Sequence, residues 1–204
     1  MSINFTELLP KESSLRSHRF LIRVRYLLLG LCLVTGCSIF SGGKPTISPA
    51  LSRLVFTNHA VKNSNSLLKQ NKAQRFIGKL AWPVRAAKIS SRFGPRNGRF
   101  HSGLDIRAEK GSAVRAACTG RVEFISENIG EFGTVALVRC AELLTFYAHL
   151  DEVNVEQESE VAQGSVIATV GDSGNARGPH LHFETRINSN GRFISIDPAL
   201  FFPQ

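Results

Sequence analysis

Two short segments of the chain hold four side chains able to bind a transition metal or move a proton: His101-Ser102-Gly103-Leu104-Asp105 and His180-Leu181-His182. Of the six histidines, only His18 and His59 lie outside residues 101–182. A zinc centre with an open position takes three His, Asp or Glu ligands and leaves a fourth place for water. The two segments supply three such ligands and leave one histidine over. Side chains alternate along a strand, so in a strand starting at residue 180, His180, His182 and Glu184 share one face, with Leu181 and Phe183 on the other. His101 and Asp105, four residues apart, can share a face in either regular structure. Gly103 and the preceding Gly94-Pro95-Arg96-Asn97-Gly98 argue for a turn-rich segment there rather than a helix. Tyr147-Ala148-His149-Leu150 closes a strand and adds His149 as a fifth candidate.

These groups need elements to position them. From Phe76 onward the chain reads as short β-rich runs punctuated by glycine, with little helical spacing of apolar residues. The expected strands are 114–118, 121–126, 134–139, 143–149, 165–170 and 180–187, with turns at Gly111, Gly120, Gly133, Gly164 and Gly171. An antiparallel β-sandwich or barrel over residues 76–204 follows. Residues 37–75 are rich in Ser, Asn, Lys and Gln without a sustained period, and read as a polar, flexible tether.

The first 36 residues read as a targeting segment rather than as part of the fold. Arg19, Arg23 and Arg25 precede an apolar run from Tyr26 to Val34, too short for the roughly 20 residues that span a bilayer. The run ends in Val34-Thr35-Gly36-Cys37, which resembles a bacterial lipobox. That resemblance implies cleavage before Cys37 and lipidation of its thiol, although valine stands where leucine is commoner. Ser38 after the cysteine implies sorting to the outer membrane. Cys32 leaves with the signal, so Cys118 and Cys140 are the remaining thiols. They flank a β-hairpin, and a pairing centred on residue 129 would set them opposite one another. A disulfide in an oxidising compartment and two buried free thiols both fit.

The motifs Ser90-Ser-Arg-Phe-Gly-Pro-Arg96, His101-Ser-Gly-Leu-Asp-Ile106, Tyr147-Ala-His-Leu150 and Gly178-Pro-His-Leu-His-Phe-Glu184 follow one another in this order. In order and setting they resemble the lysostaphin-like (LytM-type) zinc metallopeptidases, as do Leu80-Ala-Trp-Pro-Val84 and Gly120. The resemblance covers residues 76–204. It implies a mainly β fold (a duplicated hybrid motif), one zinc ion per domain, and hydrolysis of peptide bonds in peptidoglycan. It makes His101, Asp105 and His182 the zinc ligands. His149 and His180 match the histidines that handle the water proton and stabilise the transition state. Glu184 either orients a ligand histidine or pairs with Arg186. Arg177 stands where a small hydroxyl residue is usual, and the loop from Arg96 to His101 is short. Arg177 therefore either contacts a peptide-stem carboxylate or is a solvated loop cation.

The formal charge of +9 includes +3 from residues 1–36, and no long basic run with interleaved aromatics occurs. Nucleic-acid binding is therefore not expected, whereas an acidic polymer such as peptidoglycan suits a basic surface. Three classes of function come into view. The first is a zinc endopeptidase cutting peptide cross-links; the second is a non-catalytic envelope lipoprotein that binds peptidoglycan or activates an amidase. The third, a β-sandwich phosphocarrier, is disfavoured by the export signal and by an aspartate among the ligands. Expected partners are peptide stems, a membrane through Cys37, and an envelope regulator or amidase.

Overall fold

A computed structural model describes residues 64–204 except 86, 87 and 97. The expected signal segment, Cys37 and the tether as far as residue 63 lie outside the described residues. Among the described residues, no helix is long and apolar enough to cross a membrane.

Short alternating runs become strands wherever a neighbour can bury one of their faces. In chain order these are β1 (Lys88–Ser91), β2 (Gly94–Arg96), β3 (Arg99–His101), β4 (Leu104–Arg107), β5 (Ala113–Arg115), β6 (Gly120–Ser126) and β7 (Thr134–Cys140). There follow β8 (Leu143–Val153), β9 (Glu160–Val161), β10 (Val166–Val170), β11 (His180–Ser189) and β12 (Arg192–Ile196). The main sheet runs β1-β4-β11-β8-β7-β6-β9; β12 joins β11, and β10 joins both β8 and β5. β2 and β3 form a separate hairpin. The pairings are antiparallel, as the alternating pattern requires.

Two apolar clusters occupy the sheet. The larger holds Ala136, Val138, Leu143, Tyr147, Leu181, Phe183 and Ile187. The smaller takes the intervening residues Val135, Leu137, Leu144, Phe146 and Ala148, joined by Phe124 and Ile129. β8 is the pivot of the architecture. Its first half pairs with β7 and β11, and beyond His149 it pairs with β10. His149 itself has φ 59°, a left-handed backbone that bends the strand at that point. Gly171 permits the bend: a Cβ there would lie 2.6 Å from the Asp151 nitrogen and 2.8 Å from the His149 carbonyl oxygen.

Several expectations need correction. The strand expected to end at His149 runs on to Val153, and the one expected over 114–118 ends at Arg115. The turn-rich segment around His101 is instead two short strands, β3 and β4, joined through Ser102 and Gly103. β1, β9 and β12 carry too few residues to show a period of their own.

The expected tether also ends earlier than residue 75. Residues Ser64–Gln70 form a helix, α1, followed by a 3-10 turn over Lys72–Phe76. Leu68 and Ala73 reach the larger core from these turns. The Asn71 side chain accepts from the Ala73 N–H at 2.8 Å and donates to the Asn188 carbonyl at 3.1 Å. Leu67 and Phe76 pack against the same core from its edge, so a few apolar residues in a polar stretch dock it.

Cys118 and Cys140 form a disulfide with Cα atoms 6.2 Å apart. The hairpin is not centred on residue 129, because Arg121 opposes Arg139 and a bulge follows Val122. Cys118 therefore lies before β6, not within the ladder. The bridge crosses beside Gly120, where a Cβ would collide with the Arg139 carbonyl.

Candidate metal centre

β4, β11 and the β2–β3 hairpin bring the first motif and the His-x-His pair together. Asp105 in β4 stands opposite His182 in β11 and Ser91 in β1. His101 enters from the end of β3. Its Nε2 lies 3.0 Å from Asp105 Oδ1 and 3.2 Å from His182 Nδ1, and His182 Nδ1 lies 3.0 Å from the same Asp105 oxygen. Gly103 makes the close crossing feasible. A Cβ there would clash with the Phe183 carbonyl and come within 2.8 Å of Glu184 Cγ.

The outer ring nitrogens decide what the inner atoms can do. His101 Nδ1 lies 2.8 Å from the Arg92 carbonyl, and His182 Nε2 lies 2.9 Å from Glu184 Oε1. Both partners accept only, so both outer nitrogens carry the hydrogen and both inner nitrogens present lone pairs. Three acceptors thus converge: His101 Nε2, Asp105 Oδ1 and His182 Nδ1. A proton can satisfy one of these pairs; a metal ion satisfies all three at once. Two imidazoles and one carboxylate form a donor set suited to zinc.

Charge in the site follows the same logic. Burial opposes ionisation of Asp105, but hydrogen bonds with His101 and His182 outweigh it and hold the carboxyl far below its ordinary range. Burial also opposes a charged His182. Asp105 and Glu184 overcome it and raise the pKa to about 9, so a proton competes for the Nδ1 lone pair at neutral pH and a metal ion binding there displaces it. The pocket is built to hold positive charge.

Glu184 resolves the alternatives left open for it by meeting both. Oε1 accepts from His182 and from Ser102 Oγ at 2.6 Å, while Oε2 accepts from Arg186 Nε at 2.7 Å and Ser195 Oγ at 3.0 Å. Glu184 and Arg186 are both fully buried. Burial would raise the Glu184 pKa, but Arg186 and His182 hold it well below the usual carboxylate range. The guanidinium of Arg186 stacks 4.1 Å from the Phe146 ring centre.

His149 and His180 stand beside this cluster with ring centres 4.7 Å apart. His149 Nδ1 donates to the Ser173 carbonyl at 2.8 Å, and His180 Nδ1 to the Gly178 carbonyl at 2.9 Å. Each therefore presents Nε2 as an open acceptor; that of His180 lies 3.8 Å from Asp105 Oδ1. Burial lowers the His149 pKa to about 4, with the nearby His180 and His182 adding to the effect against the Ser173 hydrogen bond. His149 is thus a neutral imidazole at neutral pH.

A cleft of about 720 Å³ opens beside Asp105 and His180, bordered by Ser91, Arg96, Arg107 and Arg177. The five residues singled out by chemistry, 101, 105, 149, 180 and 182, thus gather at one place. Cys118 and Cys140 do not; they bridge the far end of the β6–β7 hairpin. Arg177 is exposed on the cleft's border, and Arg96 Nη1 lies 3.3 Å from Asp105 Oδ2. Sequence reasoning missed Ser102, Ser195 and the carbonyls of Arg92 and Ser173. Ser102 sits inside a motif and could have been suspected; backbone carbonyls leave no sequence signal.

An antiparallel β domain in which two imidazoles and a carboxylate converge beside a cleft has the donor set of a metal site. Residues 99–195 match peptidase family M23, and the chain carries a domain of that family. "DD-carboxypeptidase/endopeptidase Mpg" of Neisseria meningitidis serogroup B (strain MC58) is 39% identical over 113 residues, 52% of this chain and 26% of the relative. "Murein hydrolase activator NlpD" of Escherichia coli (strain K12) is 32% identical over 124 residues, 60% of this chain and 31% of the relative. Among solved structures, the catalytic domain of the antimicrobial peptidase lysostaphin from Staphylococcus simulans has 26% identity and a TM-score of 0.51. It aligns with 62% of this chain, and 94% of that domain is covered. The chain thus spans only 26% and 31% of the lengths of these two curated relatives.

Proposed function

We propose that the protein is a zinc-dependent endopeptidase that hydrolyses peptide cross-links of bacterial peptidoglycan. The observation that carries this reading is the convergence of three acceptor atoms whose outer hydrogens are already committed. His101 Nε2, Asp105 Oδ1 and His182 Nδ1 are the metal ligands. Zinc, when bound there, supplies Lewis acidity to a peptide carbonyl and acidifies water at neutral pH. The chain's own residues do the rest. His149 and His180 each offer Nε2 to the cleft, so either can accept the proton of the attacking water. The ring holding that proton then becomes a donor to the developing oxyanion or the leaving amine. Arg92 and Glu184 hold the ligand rings in the tautomers the metal needs.

The same reading places the chain in the cell envelope, anchored by lipid at Cys37 in the outer membrane and facing the periplasm. The Cys118–Cys140 bridge supports export, because such bonds persist in oxidising compartments. The likeness to NlpD favours one other reading, an envelope lipoprotein that activates an amidase. Against it, all five chemical positions are filled and converge.

The test is to load the full chain with zinc, incubate it with intact peptidoglycan with and without a chelator, and identify new termini by mass spectrometry. The expected result is new cross-link termini that vanish with the chelator, and that His182→Ala abolishes together with stoichiometric zinc. Bound zinc without any product would give the case to the activator. Activity retained by His182→Ala would overturn the ligand assignment.

A further inference from the structure

The strand register sets a second row of side chains beside the metal row. Ser91, Asp105 and His182 stand across from one another on β1, β4 and β11. Two residues along β4 and β11, Arg107 and His180 form the next row, and a bulge in β1 brings Lys88 opposite Arg107. Cross-strand partners and residues two apart point to one face, with a spacing of about 7 Å along a strand. Arg107 therefore rises from the sheet face that carries Asp105, on the His180 side of the ligands. Arg177 comes to the same cleft from the loop before Gly178.

Three guanidinium groups border this cleft, those of Arg96, Arg107 and Arg177, against the carboxylates of Asp105 and Glu109. Asp105 is committed to the histidines and to Arg96. Among the described residues, neither Arg107 nor Arg177 has a salt-bridge partner, and both are exposed. Some other surface cations are paired, such as Arg75 with Glu142, Arg121 with Glu158 and Lys110 with Asp151 and Asp172, while exposed Arg92, Arg99 and Arg192 are not; what distinguishes Arg107 and Arg177 is their place on the border of the cleft beside His180. Two unpaired guanidinium groups at the mouth of a concave site concentrate positive potential there.

We infer that Arg107 and Arg177 form a carboxylate-binding subsite on the His180 side of the metal centre, so that the preferred substrate is a peptide bearing a free carboxylate next to the scissile bond. This rests on the peptidase reading above and adds its specificity. Arginine suits the task because its planar fork can hold both oxygens of a carboxylate. Arg107 stands on a paired strand beside His180, so a bound carboxylate also fixes how far the scissile bond lies from the ligands. Arg177 closes the other side from a loop.

The experiment uses the zinc-loaded full chain and pairs of synthetic cross-linked stem peptides. The members of each pair are identical except for a free carboxylate or its carboxamide on one residue flanking the cross-link. The wild type is expected to favour one carboxylate peptide about tenfold or more in kcat/KM, chiefly through KM, as a charged hydrogen bond implies. Arg107→Gln and Arg177→Gln each shrink that preference, and the double variant brings the carboxylate peptide to the level of its amide while retaining zinc. Equal kcat/KM within every pair overturns the inference, as does a preference that survives the double substitution. If the zinc-loaded wild type cleaves neither member, the peptidase reading fails, and calorimetric Kd values for the same pairs decide the subsite separately. There, a carboxylate preference lost in the double variant sustains it, and equal Kd values sink it.

Discussion

The two faces of β11 carry neighbouring residues of one strand to opposite ends. On one side Leu181, Phe183 and Ile187 fill the larger core. On the other, His182, Glu184 and Arg186 are buried almost as completely, with exposures of 5%, 0% and 0%. Burial alone therefore does not separate packing from chemistry in this molecule. What separates them is hydrogen bonding. The apolar face needs only neighbours of the right volume, whereas each polar atom opposite needs a named partner with a particular hydrogen on a particular nitrogen. The polar face is stable because Glu184 collects four donors and because Phe146 covers Arg186.

The largest effect should come from the apolar side. Phe183→Ala removes a fully buried ring and is expected to cost about 3–5 kcal/mol of stability, measured by denaturant unfolding. The protein that remains folded should bind zinc as before. A variant of normal stability that binds zinc poorly would break the separation of the two faces.

Glu184→Gln should act the other way round. It keeps the shape but weakens the acceptor that holds His182, and zinc affinity is expected to fall about 10–100-fold, read by competition with a chromophoric chelator. Arg186 also loses its ionic partner, so some stability goes as well. An affinity that does not change would show that Glu184 serves the fold alone.

The smallest effect concerns His149, at the bend joining the two halves of β8. Its folded pKa of about 4 lies below the ordinary value of 6.5, so between these values the unfolded chain binds more protons. Its contribution to stability is complete above pH 6.5 and is lost as the pH falls toward 4, an effect on the order of 2 kcal/mol. His149→Gln should flatten that part of the stability–pH curve. An unaltered curve would mean that His149 is not held neutral by burial.

Much of the site was legible because its signals are local. Alternation predicts the shared face of His180, His182 and Glu184, and the spacing of His101 and Asp105 is compatible with either regular structure. The order of four motifs supplied the class. Less of the frame could be read. β3 and β4 hid behind Gly103, which looks like a turn but is there because β11 passes too close for a Cβ. Residues 64–75 read as tether because Leu68 and Ala73 are too few to make a pattern. The hairpin register missed its centre because the turn between the strands sets Ser126 opposite Val135 and Arg121 opposite Arg139, and neither that turn nor the bulge after Val122 shows in the alternation.

By itself, then, the sequence determined which side chains can do chemistry and which of them a strand must present together, because alternation is a property of the extended backbone. Only the tertiary structure decided which atoms each one presents and to what. Whether a ring nitrogen bears a hydrogen depends on a carbonyl at Arg92 or Ser173, or on a carboxylate across the fold. Arg107, silent in the sequence, enters the cleft only because β4 lies in register with His180. Pairing distant strands creates such neighbours, and no local pattern encodes them.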